Sequence, residues 1–147
     1  MTAILVLDTT AVGLAANPRG SPQFDDWFAA AAAVAVIVVP AVSDFEVRRE
    51  LIRIDSRISL ARLDRFVRTF RYEEVNTARW HIAAHLWADA RNRGRPTADS
   101  KSLDIDVLVA ATAISLQSEG EVVVVTANVR HLSQFVDARL WSDITLP

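Results

Sequence analysis

Cysteine is absent from this sequence, lysine occurs once, at Lys101, and there are only 4 glycines in 147 residues. Without cysteine there are no disulfides, no thiolate metal sites and no cysteine nucleophiles, a usage that fits a reducing cytosol. With so little glycine and 51% hydrophobic residues, the composition carries no mark of disorder. The length suits one domain over residues 1–147 with a sizeable core. The formal charge of −2 gives no global basic signature, although the local distribution of charge matters more than its sum. No basic segment precedes the first apolar run, so MTAILVLDTT reads as a strand and not as a leader. The longest apolar run, residues 28–42, is alanine-rich, meets Pro40 and is too short to span a bilayer. These absences predict a soluble, cytoplasmic protein that does not engage a membrane.

What is present is an alternation. AILVL at residues 3–7, VAVIVV at 34–39 and VVVV at 122–125 are short continuous apolar runs, the pattern of strands covered on both faces. Residues 71–75 form a weaker strand and 140–144 a last edge strand. Between them the spacing predicts helices from Thr9, from Ser21, from Ser43, over 56–70, over 77–93 and over 102–117, with a short one at 130–135. Phe45, Val47, Leu51, Ile52 and Ile54 are candidates for the apolar side of the Ser43 helix. Ile58, Leu60, Leu63, Phe66 and Val67 serve the next helix, and Trp80, Ile82, Leu86 and Trp87 the one ended by Gly94 and Pro96. The alternation specifies a three-layer α/β/α sandwich around a mostly parallel sheet. In such sheets, sites form beyond the carboxyl ends of the strands, where Asp8 and residues 126–128 fall.

Several acids gather at these positions. Asp8 follows the first strand and precedes a helix, so it reads equally as a helix cap or as a carboxylate held at the sheet edge. Glu46 stands in Ser43-Asp44-Phe45-Glu46, the spacing of a capping box, with Ser43 as the cap. The stretch SLDIDVLVAATAISLQ at 102–117 opens on Asp104 and Asp106, which cannot both cap one helix. Two residues apart they face different ways, and periodicity alone does not choose between them. Asn128 supplies a neutral oxygen after the VVVV strand, where a turn asparagine is also ordinary. Carboxylates drawn into one crevice repel unless a cation joins them. An all-oxygen set suits Mg²⁺ or Mn²⁺.

Rival constellations are weaker. His81 and His85 stand four apart on one helix, but HIAAH lacks the glutamate of a zinc-protease helix. No phosphate loop, dinucleotide motif or nucleophile elbow is present. A phosphoacceptor domain built on Asp8 would need a lysine near a strand end, and Lys101 lies just before the acidic helix. Arg48, Arg49, Arg53, Arg57, Arg62, Arg65, Arg68 and Arg71 crowd the two central helices. Such a run is usually a solvated face. Arginine is also well shaped to hold phosphates, and Arg48, Arg49 and Arg53 are the candidates for a rim that contacts RNA.

Four segments in order resemble the PIN-domain family, and within it the VapC-type toxin ribonucleases of toxin–antitoxin pairs. They are LVLDTTAV, VPAVSDFEVRREL, the helix ending in ARNRGRPTADS, and DVLVAATAISLQSEGEVVVVTANVRHL. The resemblance runs nearly end to end and implies that Asp8, Glu46 and Asp106 form a Mg²⁺ or Mn²⁺ site that hydrolyses RNA. It also selects Asp106 over Asp104 as the ligand, leaving Asp104 as a cap or outer charge. Thr10 and Thr126 become hydroxyls behind the ligands, and Asn128 stands where many members carry a fourth acid. The partners implied are an RNA substrate, an antitoxin and a second copy in a homodimer. The contrasting expectation is a PIN-fold module that binds RNA or protein without cutting.

Overall fold

The computed structural model of the chain describes residues 2–94 and 100–147, with the side chains of Ser100 and Lys101 not described. Pro96, and the part of ARNRGRPTADS at residues 95–99, lie outside the described residues. The strands are β1 (Ala3–Leu7), β2 (Val36–Pro40), β3 (Arg71–Glu73), β4 (Glu121–Val125) and β5 (Ala138–Arg139). They pair as one all-parallel sheet in the order β3-β2-β1-β4-β5. The helices are α1 (Thr9–Ala16), α2 (Pro22–Val34), α3 (Ala41–Arg53), α4 (Arg57–Thr69), α5 (Thr77–Asn92), α6 (Ser100–Ser115) and the short α7 (Val129–Leu132).

Alternation along the strands divides the core into two layers. Ile4 and Val6 of β1 face the side where Val38 and Val124 meet Val109, Ala110, Ala113 and Leu116 of α6. Leu5 and Leu7 face the other side, with Ile37, Val39 and Val125 against Ala11, Val12 and Ala16 of α1, Ala31 of α2, Val47 of α3 and Leu63 of α4. A further cluster, with Ala83 and Ala90 from α5 and Leu103, Val107 and Ala111 from α6, joins those two helices. Small residues let α5 and α6 approach closely. The three-layer α/β/α sandwich and its parallel sheet are therefore as expected.

The strand order also locates the crevice. From β1 the chain steps outward to β2 and β3, then returns to the opposite flank of β1 for β4 and β5, so the direction of winding reverses between β1 and β4. Parallel α/β sheets open a ligand crevice at such a reversal. Leu7 pairs with Val125 in register, and Asp8 N–H donates to the Val125 carbonyl at 3.1 Å. Asp8 and Thr126, the next residue of each strand, thus stand side by side.

Several boundaries differ from expectation. The alanine run of residues 29–33 continues α2 to Val34, so β2 begins only at Val36. Helix α3 starts at Ala41 directly after Pro40, which makes Ser43 an interior residue whose hydroxyl donates to the Leu7 carbonyl at 2.9 Å. The Ser43–Glu46 capping box therefore does not form. Helix α6 starts at Ser100, so neither Asp104 nor Asp106 is its cap, and the backbone of Lys101 is helical instead of lying in a loop. The last edge strand is Ala138–Arg139, before the expected residues 140–144, which form no strand and carry a 3-10 turn at Trp141–Asp143. Trp141 leaves the sheet to pack edge-on against Phe24 at 5.7 Å and beside Trp27 at 5.9 Å.

Some apolar residues assigned to core faces are exposed: Phe45, Ile52, Ile54, Ile58, Trp80 and Trp87. At about 100° per residue, Phe45 and Ile52 lie roughly 140–160° around α3 from the buried Val47, and Ile58 is turned similarly from Leu63 on α4. Ile54 falls past the end of its helix.

Candidate active site

Asp8 both caps α1 and lines a cavity. It is buried, with 6% of its surface exposed, and its carboxylate is held by four hydrogen bonds. Oδ1 accepts from Thr10 N–H at 2.9 Å, the Thr10 hydroxyl at 2.6 Å and Ala11 N–H at 3.2 Å. Oδ2 accepts a short hydrogen bond from the Thr126 hydroxyl. The two threonines are fixed in turn, since Thr10 Oγ1 accepts from Ala127 N–H at 2.9 Å and Thr126 Oγ1 from Asn128 N–H at 2.8 Å. Oδ1 is saturated, and Oδ2 alone keeps acceptor capacity. Burial holds Asp8 above the ordinary carboxylate range, against the threonine and backbone hydrogen bonds that favour its anion.

Asp106 reaches the same place from α6. Starting the helix at Ser100 carries Asp106 to its second turn, half-buried, where Val109 and Ala110 seat the helix on the sheet. Glu46 arrives from α3. These three acids, with Thr10, Ser102, Ile105 and Asn128 among the other residues, line a cavity of about 140 Å³ at the reversal of the sheet. Asp106 is pushed up to about 7, first by burial and then by the charges of Asp8 and Glu46. Asp104 does not join them. Two residues correspond to roughly 200° of helix rotation, and Asp104 lies exposed on the α5–α6 groove with Trp80 and Trp87.

Asn128 precedes α7 and lines the cavity. Its side-chain amide Nδ2 lies 3.0 Å from His131 Nδ1, which is itself 4.0 Å from Asp106 Oδ2. Sequence reasoning passed over His131. The available signal was its place three residues after Asn128, close enough for a side-chain pair across a single turn. His81 and His85 are exposed on α5, outside the cavity.

The candidate basic rim is already paired. Arg48 bridges Asp44 at 3.1 Å and Asp64 at 2.6 Å, Arg49 meets Glu46 at 3.3 Å, and Arg53 closes on Glu50. Beside them, α1, α3 and α4 enclose a wider groove of about 850 Å³ that shares Thr9 and Glu46 with the acid cavity and carries Ile54 and Ile58 on its wall.

Among the described residues no three His, Asp or Glu side chains stand arranged as a ready-made chelate. The donor set nonetheless fits a hard divalent cation. Every donor is oxygen, Asp8 has one open acceptor, and Asp106 is strained by charges that a cation would offset. Mg²⁺ in particular keeps several waters and needs only one or two direct carboxylates.

A family model described as PIN domain matches residues 5–135. Solved structures share the fold. VapBC2 from Rickettsia felis bound to a DNA fragment from their promoter aligns with a TM-score of 0.73 at 14% identity, over 94% of this chain and 98% of that one. FitAcB from Neisseria gonorrhoeae aligns at 0.72 and 16%, over 95% and 99%. DNA-bound VapBC from Salmonella typhimurium aligns at 0.68 and 18%, over 96% and 99%. No curated protein matches the sequence. Among the described residues no helix is long and apolar enough to cross a membrane.

Proposed function

The chain belongs to the PIN-domain family, and from that premise we propose that it is a Mg²⁺- or Mn²⁺-dependent endoribonuclease, the toxin of a toxin–antitoxin pair. The observation that carries this reading is the convergence of Asp8, Glu46 and Asp106, from three separate elements, on one cavity where burial, and then the charges of the other two, raise Asp106. Unrelieved repulsion is costly to retain unless the site is used. Asp8, Glu46 and Asp106 would hold the cation, which when bound supplies an activated water and positive charge for the phosphate.

The chain's own groups then have distinct tasks. Thr10, Ala11 and Thr126 hold Asp8 in one orientation, so its free lone pair meets the cavity without rearrangement. Glu46 is shared with Arg49, which stands where a backbone phosphate could displace the ion pair. The likeness to VapBC structures supports an antitoxin partner. The groove between α1, α3 and α4, which shares Thr9 and Glu46 with the cavity and has Val47, Leu51, Ile54 and Ile58 on its wall, is where that partner's tail would lie. Homodimerisation and a cytoplasmic location accompany this reading.

The test is cleavage of single-stranded and transfer RNA by purified protein with Mg²⁺, beside Asp8→Asn and Asp106→Asn. Each substitution is expected to lower the rate at least about 100-fold. Equal cleavage by all three proteins would identify a contaminant and end the proposal. Asn128 in place of an acid favours a second reading, a module that binds RNA or protein without cutting. Calorimetric titration with Mn²⁺ separates the two, because that module has no binding dependent on Asp8 and Asp106.

A further inference from the structure

Around the acid cavity, one polar pair has no part in the reading so far. Asn128 Nδ2 and His131 Nδ1 are 3.0 Å apart. An amide NH₂ can only donate, so Nδ1 must be the bare nitrogen of the ring and the imidazole proton must sit on Nε2. His131 is anchored by its own backbone, whose carbonyl accepts from Gln134 Nε2 at 2.9 Å and whose N–H donates to the Asn128 carbonyl at 3.2 Å. With Nδ2 committed to the ring, the Asn128 carbonyl Oδ1 is the free end of the amide. Among the described residues it accepts no hydrogen bond, although Asn128 lines the cavity.

An asparagine amide has two ends of opposite polarity and nearly equal shape. Turned one way it offers the cavity an acceptor; turned the other way it offers two N–H donors, which a cation repels. A carboxylate has no wrong way round. The geometry points to His131 as a positioning residue that fixes the Asn128 amide with its oxygen toward the acid cavity, so that a neutral residue serves where a fourth acid would otherwise stand. His131 acts through Asn128; Asp106 Oδ2 lies beyond hydrogen-bond reach of its Nδ1, at 4.0 Å. The inference rests on the metal-dependent reading of the cavity, and it names a residue that reading leaves out.

The test is a double-mutant cycle read by Mn²⁺ calorimetry on the full chain, with ¹⁵N NMR of the metal-free protein. In the wild type, the His131 ring is expected to show an unprotonated Nδ1, and Asn128→Ala is expected to shift that resonance. His131→Ala is expected to weaken Mn²⁺ binding about tenfold, the low end of the range for residues that orient metal ligands. His131→Gln, whose side-chain oxygen can still accept from Nδ2, is expected to retain most of the affinity. In an Asn128→Asp background, His131→Ala is expected to change affinity less than about twofold, since a carboxylate needs no orienting.

An equal loss in both backgrounds would mark His131 as merely structural and overturn the inference, as would a proton found on Nδ1. A wild type that binds Mn²⁺ well while His131→Ala matches it overturns this inference alone. A wild type that binds no Mn²⁺ overturns the proposed function with it.

Discussion

Asp106 must bring its charge out of water into a cavity where Asp8 and Glu46 also oppose it, and burial first, then those charges, push its carboxyl up to about 7. A carboxyl raised in the folded state contributes stability that is fully present below its unfolded value, near 3.8, and is lost as pH rises through about 7. The metal-free protein is therefore expected to lose thermal stability between roughly pH 4 and pH 7 relative to Asp106→Asn, which carries no titrating group there. At pH 4 the two melting temperatures should converge. By pH 8 the variant should be higher by roughly ten degrees, on the order expected for about 4 kcal/mol in a chain of this size. Thermal melts across that range in chelator decide the matter; parallel curves would mean that the Asp106 carboxyl is not raised in the folded state. At this scale the sequence was informative about residue type and ambiguous about role. Asp8 reads as cap or sheet-edge carboxylate, and its position allows both, because one oxygen caps α1 while the residue also lines the cavity. Asp104 and Asp106 stay unresolved by spacing, because the choice depends on the phase of α6 against the sheet. That phase follows from Val109 and Ala110 packing beneath it.

Element boundaries were less legible where packing overrides local signals. Ser43 has the spacing of a cap but lies inside α3, because Pro40 ends β2 and starts the helix in a single step. β3 is short and exposed at the sheet edge, and local propensity scarcely marks it. It is held by charge. Arg79 of α5 is buried with 7% of its surface exposed, and it binds Glu73 at 2.8 Å, the Glu74 carbonyl at 2.7 Å and the Ser115 hydroxyl at 2.8 Å. Arg71 meets Glu73 as well and continues to Glu119 at 2.9 Å. Losing one partner of a buried pair leaves the other uncompensated, at a cost of 3–5 kcal/mol when none remains. Glu73 keeps Arg71, so Arg79→Met is expected to destabilise by about 2–3 kcal/mol. Urea denaturation reads this directly; a change under about 0.5 kcal/mol would show that Arg71 alone suffices to hold the edge strand.

For the whole molecule, the arginines that composition suggests as an RNA rim are largely spent on each other's acids: Arg48 on Asp44 and Asp64, Arg49 on Glu46, Arg53 on Glu50. Composition shows the excess of arginine along α3 and α4, while pairing depends on geometry that no count reveals. A single-stranded substrate is bound with a salt slope of about −0.7 per neutralised phosphate. With these three paired, the slope for RNA binding by Asp8→Asn is expected to be shallow, no steeper than about −1, where three freed arginines would give about −2. A much steeper slope in a filter-binding series would mean that the ion pairs open onto the substrate. The sandwich itself was legible throughout, because β1, β2 and β4 are continuous apolar runs that only a sheet covered on both faces accommodates.

The first strand lies at the centre of the sheet, and its aspartate is braced by a threonine 118 positions further along the chain. The braced carboxylate of Asp8 therefore exists only when β1 and β4 have both been made and have met. A chain still being synthesised, or one truncated before β4, has its first acid without the brace and without the flank of the crevice. In a ribonuclease of the proposed kind, this ordering would act as a safeguard: the cavity is complete only after β4 has been made and has paired with β1.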